Sequence, residues 1–119
     1  MHWSDLEVWK KSHSLVLKIY QLTASYPKAE TYALIDQLRR AAYSVPTNIV
    51  EGQSRNTTKE YRSFLYNARG SVEEVRYFLL LSRDLGYIDQ DIYKTIESEY
   101  ETVSKMLNGL IKSLKRNMD

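Results

Sequence analysis

The chain has 119 residues and a mass of 14.0 kDa, which predicts one domain spanning residues 1–119 that buries roughly 65% of its unfolded surface around a single core. Hydrophobic residues at 43% and charged residues at 27% exclude a disordered tail or a membrane-embedded chain, and zero cysteines exclude a disulfide framework, a thiol nucleophile and Cys-ligated metals. A formal charge of +2 is too mild to announce nucleic-acid binding by itself.

The opening Met1-His2-Trp3-Ser4-Asp5 lacks a basic segment followed by an apolar run, so no signal peptide is expected. The first helix is predicted from a capping box, with Ser4 accepting from the Glu7 N–H and Glu7 reaching back to Ser4. It should run to about Ala24, before the Ser25-Tyr26-Pro27 stop. Its apolar surface is unusually wide. Leu6, Trp9, His13, Val16 and Tyr20 form one stripe, and Val8, Leu15, Ile19 and Leu22 form another about 110° away. A corner helix of a bundle needs one stripe. The excess points to burial from two directions, by the helix's own bundle and by another subunit; half-exposed Tyr and Trp are the competing reading. His13, on the apolar stripe, has no His or Glu one turn away to pair with on a metal, so a packed, hydrogen-bonded histidine is expected there.

A second helix reads from about Tyr32 to Pro46, which lacks the N–H that would bond the Ala42 carbonyl. The helix is expected to kink or restart at Pro46 and to end at Gly52, a candidate for the left-handed position after a helix. The third helix opens with a box, Thr57 and Glu60, carries the seam Tyr61, Leu65, Ala68, Val72, Val75 and Leu79, and closes at Gly86. The fourth starts near Asp89, follows the seam Ile96, Tyr100, Val103, Leu107, Leu110 and Leu114, and places Lys112, Lys115 and Arg116 at its negative dipole end. No segment alternates with period two, and four glycines and two prolines are too few to punctuate a many-stranded fold. The expected architecture is all-α: an antiparallel up-down four-helix bundle. Its longest apolar run, Phe78 to Leu81, is far short of the roughly 20 residues that span a bilayer. A cytoplasmic chain with no membrane partner is expected.

Three constellations carry functional weight. Arg62, Arg69, Arg76 and Arg83 recur every seventh residue, each step advancing about 10.5 Å, so they form one row about 30 Å long that Lys59 extends. One reading is a track for RNA or DNA phosphates. The other is a solvated or subunit-bridging strip in which Glu73 pairs Arg69 and Arg76. Arg39, Arg40, Asn48, Glu51, Gly70, Ser71 and Glu74 are expected to form a structural polar knot around Pro46. There Gly70 permits close backbone approach, Asn48 serves the carbonyls that Pro46 orphans, and Arg39 or Arg40 neutralises Glu74. A catalytic Glu51/Glu74 pair competes with the knot, but it lacks a poised His or a nucleophile. Tyr66 and Tyr77 fall off the arginine line and are expected at a subunit interface rather than under stacked bases. With no phosphate-cradling glycine loop and no metal-ligand spacing, no catalytic residues, cofactor or metal are expected.

Several motifs together carry a family resemblance: Asp5-Leu6-Glu7-Val8-Trp9-Lys10-Lys11-Ser12, Gln37-Leu38-Arg39-Arg40-Ala41-Ala42, and Ser44-Val45-Pro46-Thr47-Asn48-Ile49-Val50-Glu51-Gly52. Further along, Phe64-Leu65, Ala68-Arg69-Gly70-Ser71 with Glu74, and Arg83-Asp84-Leu85-Gly86-Tyr87 continue it. The chain resembles the four-helix bundle proteins encoded in intervening sequences of bacterial 23S rRNA genes, over about residues 3 to 88, with the fourth helix similar in pattern only. The resemblance implies an up-down four-helix bundle, a homopentamer and no established enzymatic activity. The fold is also similar to that of the accessory protein of diversity-generating retroelements, a basic pentamer that binds nucleic acid and its reverse transcriptase. Self-association, an RNA or DNA partner, or a nucleic-acid-binding protein partner are what these resemblances imply.

Overall fold

The computed structural model describes residues 1–118, with side chains through Arg116. Four helices carry the fold: α1 (Glu7–Thr23), α2 (Leu34–Gln53), α3 (Thr58–Asp84) and α4 (Gln90–Met118). Short 3-10 turns at Trp3–Asp5 and Lys28–Glu30 precede the first two, and no strand occurs among the described residues. The molecule is all-α, about 48 × 24 × 20 Å.

Local chemistry sets the helix ends. Thr57 Oγ1 accepts from the Glu60 N–H at 3.1 Å and lies 3.2 Å from Glu60 Oε1, so the predicted box starts α3. Asp89 Oδ1 accepts from the Ile92 N–H at 2.8 Å and starts α4. Gly86, at φ 81°, ends α3. Its N–H donates to the Arg83 carbonyl and that of Tyr87 to the Ser82 carbonyl, the paired bonds of a Schellman turn. At the first helix the expected box is absent. His2 Nδ1 takes the Ser4 N–H at 3.2 Å and sits 2.6 Å from the Ser4 hydroxyl, so Ser4 joins the 3-10 turn and α1 starts at Glu7 behind an uncapped Leu6.

α2 begins at Leu34, later than expected, because Lys28–Glu30 forms its own turn. It then runs as one helix through Pro46 instead of restarting there. Thr47 Oγ1 donates to the Tyr43 carbonyl (2.7 Å) and Asn48 Nδ2 to the Ser44 carbonyl (2.8 Å), so side chains just after the proline bond back into the preceding turn. Gly52 lies inside this helix and is not a left-handed cap.

The core is one apolar cluster. Val8, Leu15 and Ile19 enter it from α1, Leu38, Val45 and Ile49 from α2, Leu65, Val72 and Leu79 from α3, and Ile96, Tyr100, Val103 and Leu107 from α4. The α4 seam then moves to Ile111, leaving Leu110 and Leu114 at the margin. A helix at 3.6 residues per turn drifts off a strict 3.5 repeat within a few turns. Pairs across the helices fix the register. Arg83 meets Gln90, Arg76 meets Glu97 and Arg69 meets Asn108, so numbers fall on α3 as they rise on α4.

Candidate functional site

The third and fourth helices meet along a seam that carries the predicted arginine row. Each arginine is half-buried, and three have partners. Arg83 Nη2 lies 3.0 Å from Asp84 Oδ1, and its guanidinium covers the Tyr93 ring at 4.7 Å. Arg76 donates to Glu97 on α4 at 2.7 Å and to Glu73 at 3.1 Å. Partial burial works against the Arg76 charge, and the two carboxylates overcome that and hold its pKa above the ordinary arginine value. Arg69 meets no carboxylate among the described residues: Glu73, expected to pair with it, turns to Arg76. Its Nη1 donates to the neutral Asn108 Oδ1 at 2.8 Å, and its guanidinium lies over the Tyr66 ring at 5.0 Å. Arg62 has no ion pair among the described residues, and Lys59 is exposed. The row is therefore uneven: neutralised toward Gly86, uncompensated toward Thr57.

The uncompensated end is concave. Tyr66, Arg69, Asn108, Ile111, Lys112 and Lys115 line a pocket of about 280 Å³, and Lys112, Lys115 and Arg116 border a second depression of about 360 Å³. The composition-based reading assigned those α4 cations to the helix dipole and did not place them opposite Arg69. The short α3–α4 link was the available signal, because it sets residue 69 across from the low hundreds.

The polar knot forms in part. Asn48 Nδ2 donates to Ser44 Oγ at 3.0 Å, and the Ser44 and Ser71 hydroxyls lie 2.9 Å apart, joining α2 to α3. Asn48 thus serves the Ser44 carbonyl and not that of Ala42. The other members lie elsewhere. Arg39 Nε donates to Thr23 Oγ1 at 2.8 Å and its guanidinium covers the Tyr20 ring at 4.4 Å, tying α2 to α1. Arg40 pairs with Asp36 at 3.0 Å, Glu51 with Arg55 at 3.3 Å, and Glu74 is exposed with no ion pair among the described residues. The close-approach role falls to a different glycine from the one expected. A Cβ at Gly70 meets nothing within 4 Å, whereas one at Gly52 falls 2.9 Å from Phe64 Cβ and from Tyr61 Cδ1. Close approach of α2 to α3 therefore sits at Gly52.

The outer face of α1 and α2 forms a second candidate surface. Of the two α1 stripes, Val8, Leu15 and Ile19 are core; in the other, Val16 is buried too, Leu6 and Trp9 pack partly against the core, and His13 and Tyr20 face outward. His13 is exposed, contrary to expectation, and stacks on Trp9 with centroids 5.1 Å apart and planes 5° off parallel. Trp9, His13 and Val16 then form a groove of about 320 Å³ with Tyr43, Pro46, Thr47 and Val50 of α2. Tyr20 at 40% and Tyr43 at 42% exposure extend its apolar rim. Among the described residues no group of three His, Asp or Glu side chains is placed to hold a metal, and no helix is long and apolar enough to cross a membrane.

Fold and surfaces together define a helical bundle with one aromatic outer face and one seam of uneven charge. The chain belongs to the 23S rRNA-intervening sequence protein family, whose model matches residues 4–109 and so extends well into α4. A solved structure from Bacteroides thetaiotaomicron, described as a protein with unknown function from the S23 ribosomal protein family, has the same fold. The two chains are 24% identical with a TM-score of 0.82, over 88% of this chain and 95% of that one. No curated protein is significantly similar to this chain.

Proposed function

We propose that this chain is a non-enzymatic, self-assembling scaffold of the cytoplasm, in which copies join through the outer face of α1 and α2 and leave α3 and α4 open to partners. The groove between Trp9, His13 and Tyr43 carries the reading. It leaves the stacked Trp9 and His13 rings partly in water beside an apolar floor of buried Val16 and half-buried Val50, the composition of the centre of an interface rather than of a solvated surface. The family resemblance supports a second copy as the occupant and supplies five as its number. A phosphate track along the whole arginine row is the weaker reading, because Arg76 and Arg83 already meet carboxylates.

The test is a lysine placed on the face. Tyr43→Lys should shift the sedimenting species toward the monomer while the helical circular dichroism is kept. Ile92→Lys, exposed at the start of α4, should leave assembly unchanged. If both variants sediment as the parent chain does, the α1/α2 face is not the joint.

A further inference from the structure

The seam between α3 and α4 gathers cations at one end with no anions to meet them among the described residues. Among the described residues no carboxylate lines either depression there. The dipole at the end of α4 favours Lys112, Lys115 and Arg116 at their positions, but it does not account for Arg69. That residue belongs to α3, is half-buried and has a neutral partner. Like charges converging on one concavity repel, and an anion entering it relieves that repulsion.

We infer that this end of the seam binds the phosphate backbone of a single-stranded nucleic acid, with Arg69, Lys112 and Lys115 on phosphates and Tyr66 beside a base. Arg69 is held in advance by the Asn108 bond and by the Tyr66 ring. Its fork is thereby fixed for a phosphate oxygen, with little side-chain freedom left to lose. Lysines on the rim supply mobile point charges, and a half-buried ring beside them is the arrangement on which bases stack. Size selects a strand over a free small molecule. A pocket of about 280 Å³ falls at the lower limit for an enclosed small ligand. It opens instead beside the Lys112, Lys115 and Arg116 depression, so it fits one unit of a ligand that continues. Arg62, one heptad before Arg69, extends the path along α3, while Arg76 and Arg83 lie outside it. The site is complete within one chain and stands whether or not the chain self-assembles.

The experiment is fluorescence anisotropy of a labelled single-stranded RNA of about 20 nucleotides with the full chain, titrated against salt from about 50 mM upward. The parent should bind, and its affinity should fall steeply with salt, about 0.7 log unit per log unit for each phosphate neutralised. The exposed pair Lys112→Gln with Lys115→Gln should weaken binding at least about tenfold and flatten that slope by about 1.4. Tyr66→Leu should weaken binding about tenfold. Arg83→Gln should stay within about twofold of the parent, because that guanidinium is outside the site. Three results overturn the inference. One is no binding at about 50 mM salt. Another is an Arg83→Gln loss as large as that of the lysine pair, which would mark the whole row as the track. The last is inorganic phosphate or a mononucleotide competing as well as the strand, which would mark a small-anion pocket.

Discussion

At the scale of single residues, two of the helical glycines, Gly52 and Gly70, separate what looks alike in sequence. Gly52 lies where α2 crosses α3, and a methyl group there would press on Phe64 and Tyr61. Gly52→Ala should lower the stability measured by urea unfolding by about 1–3 kcal/mol, the usual range for overpacking. Gly70 is exposed and open, so Gly70→Ala should raise stability by about 0.5–1 kcal/mol through helix propensity alone. A loss at Gly70 equal to that at Gly52 would mean that the close approach is at Gly70 after all. Composition and spacing identify both as mid-chain glycines; which one faces the neighbouring helix depends on rotation about the helix axis, which they do not specify.

Tyr100 poses a second question at this scale. It is fully buried, and its hydroxyl has no hydrogen-bond partner. Burial, with a smaller contribution from Glu99, pushes its pKa well above the ordinary 10.0. The folded chain therefore keeps the proton where the unfolded chain releases it. Stability is full below pH about 10 and falls as pH rises beyond the unfolded value. Tyr100→Phe removes an unsatisfied polar atom and should leave stability at pH 7 unchanged or raised by up to about 1 kcal/mol. Thermal unfolding above pH 10 should also show a shallower alkaline loss in that variant. A phenylalanine variant destabilised by more than about 2 kcal/mol at pH 7 would reveal a partner for the hydroxyl.

At the scale of elements, helix ends and core faces were largely legible. The Thr57 box, the Asp89 start and the Gly86 stop each use a short-range signal, and each appears where the residues put it. Ser4 shows the limit, since a neighbouring His2 ring competes for the same N–H and the box pattern does not see it. Contacts between helices were less legible. Spacing along α3 pairs Glu73 with both Arg69 and Arg76; the Arg76 pair forms, but the partner of Arg69, Asn108, and the second partner of Arg76, Glu97, come from α4 and depend on register. The Arg76–Glu97 bridge is charged on both sides, with side chains only 30% and 20% exposed. A double-mutant cycle with Arg76→Gln and Glu97→Gln should return a coupling of about 1–2 kcal/mol. A coupling near zero would show that α3 and α4 are joined by their apolar seam alone. The knot around Pro46 follows the same lesson. Its members Asn48 and Ser71 do come together, bridged by Ser44, while the arginines assigned to it reach toward α1 or along α2 instead.

At the scale of the whole molecule, the bundle presents two different surfaces on opposite pairs of helices. The α1/α2 face has aromatic rings and a groove; the α3/α4 seam has charge that is matched at one end and not at the other. A formal +2 averages over this unevenness, which is why composition argues against a nucleic-acid surface that the local arrangement supports. The apolar width of α1 was legible as two stripes, of which the core covers the first and, in the second, Val16, leaving His13 and Tyr20 outside. The contribution of Tyr43, Pro46 and Val50 was not, because it depends on how α2 leans on α1. The central claim is that the exposed part of the second stripe, with the groove beside it, is a joint between copies. Multi-angle light scattering on the parent chain at micromolar concentration measures it directly. The account predicts a particle several times the chain mass of 14.0 kDa, five times for a ring of the family kind. A particle of 14.0 kDa would contradict it.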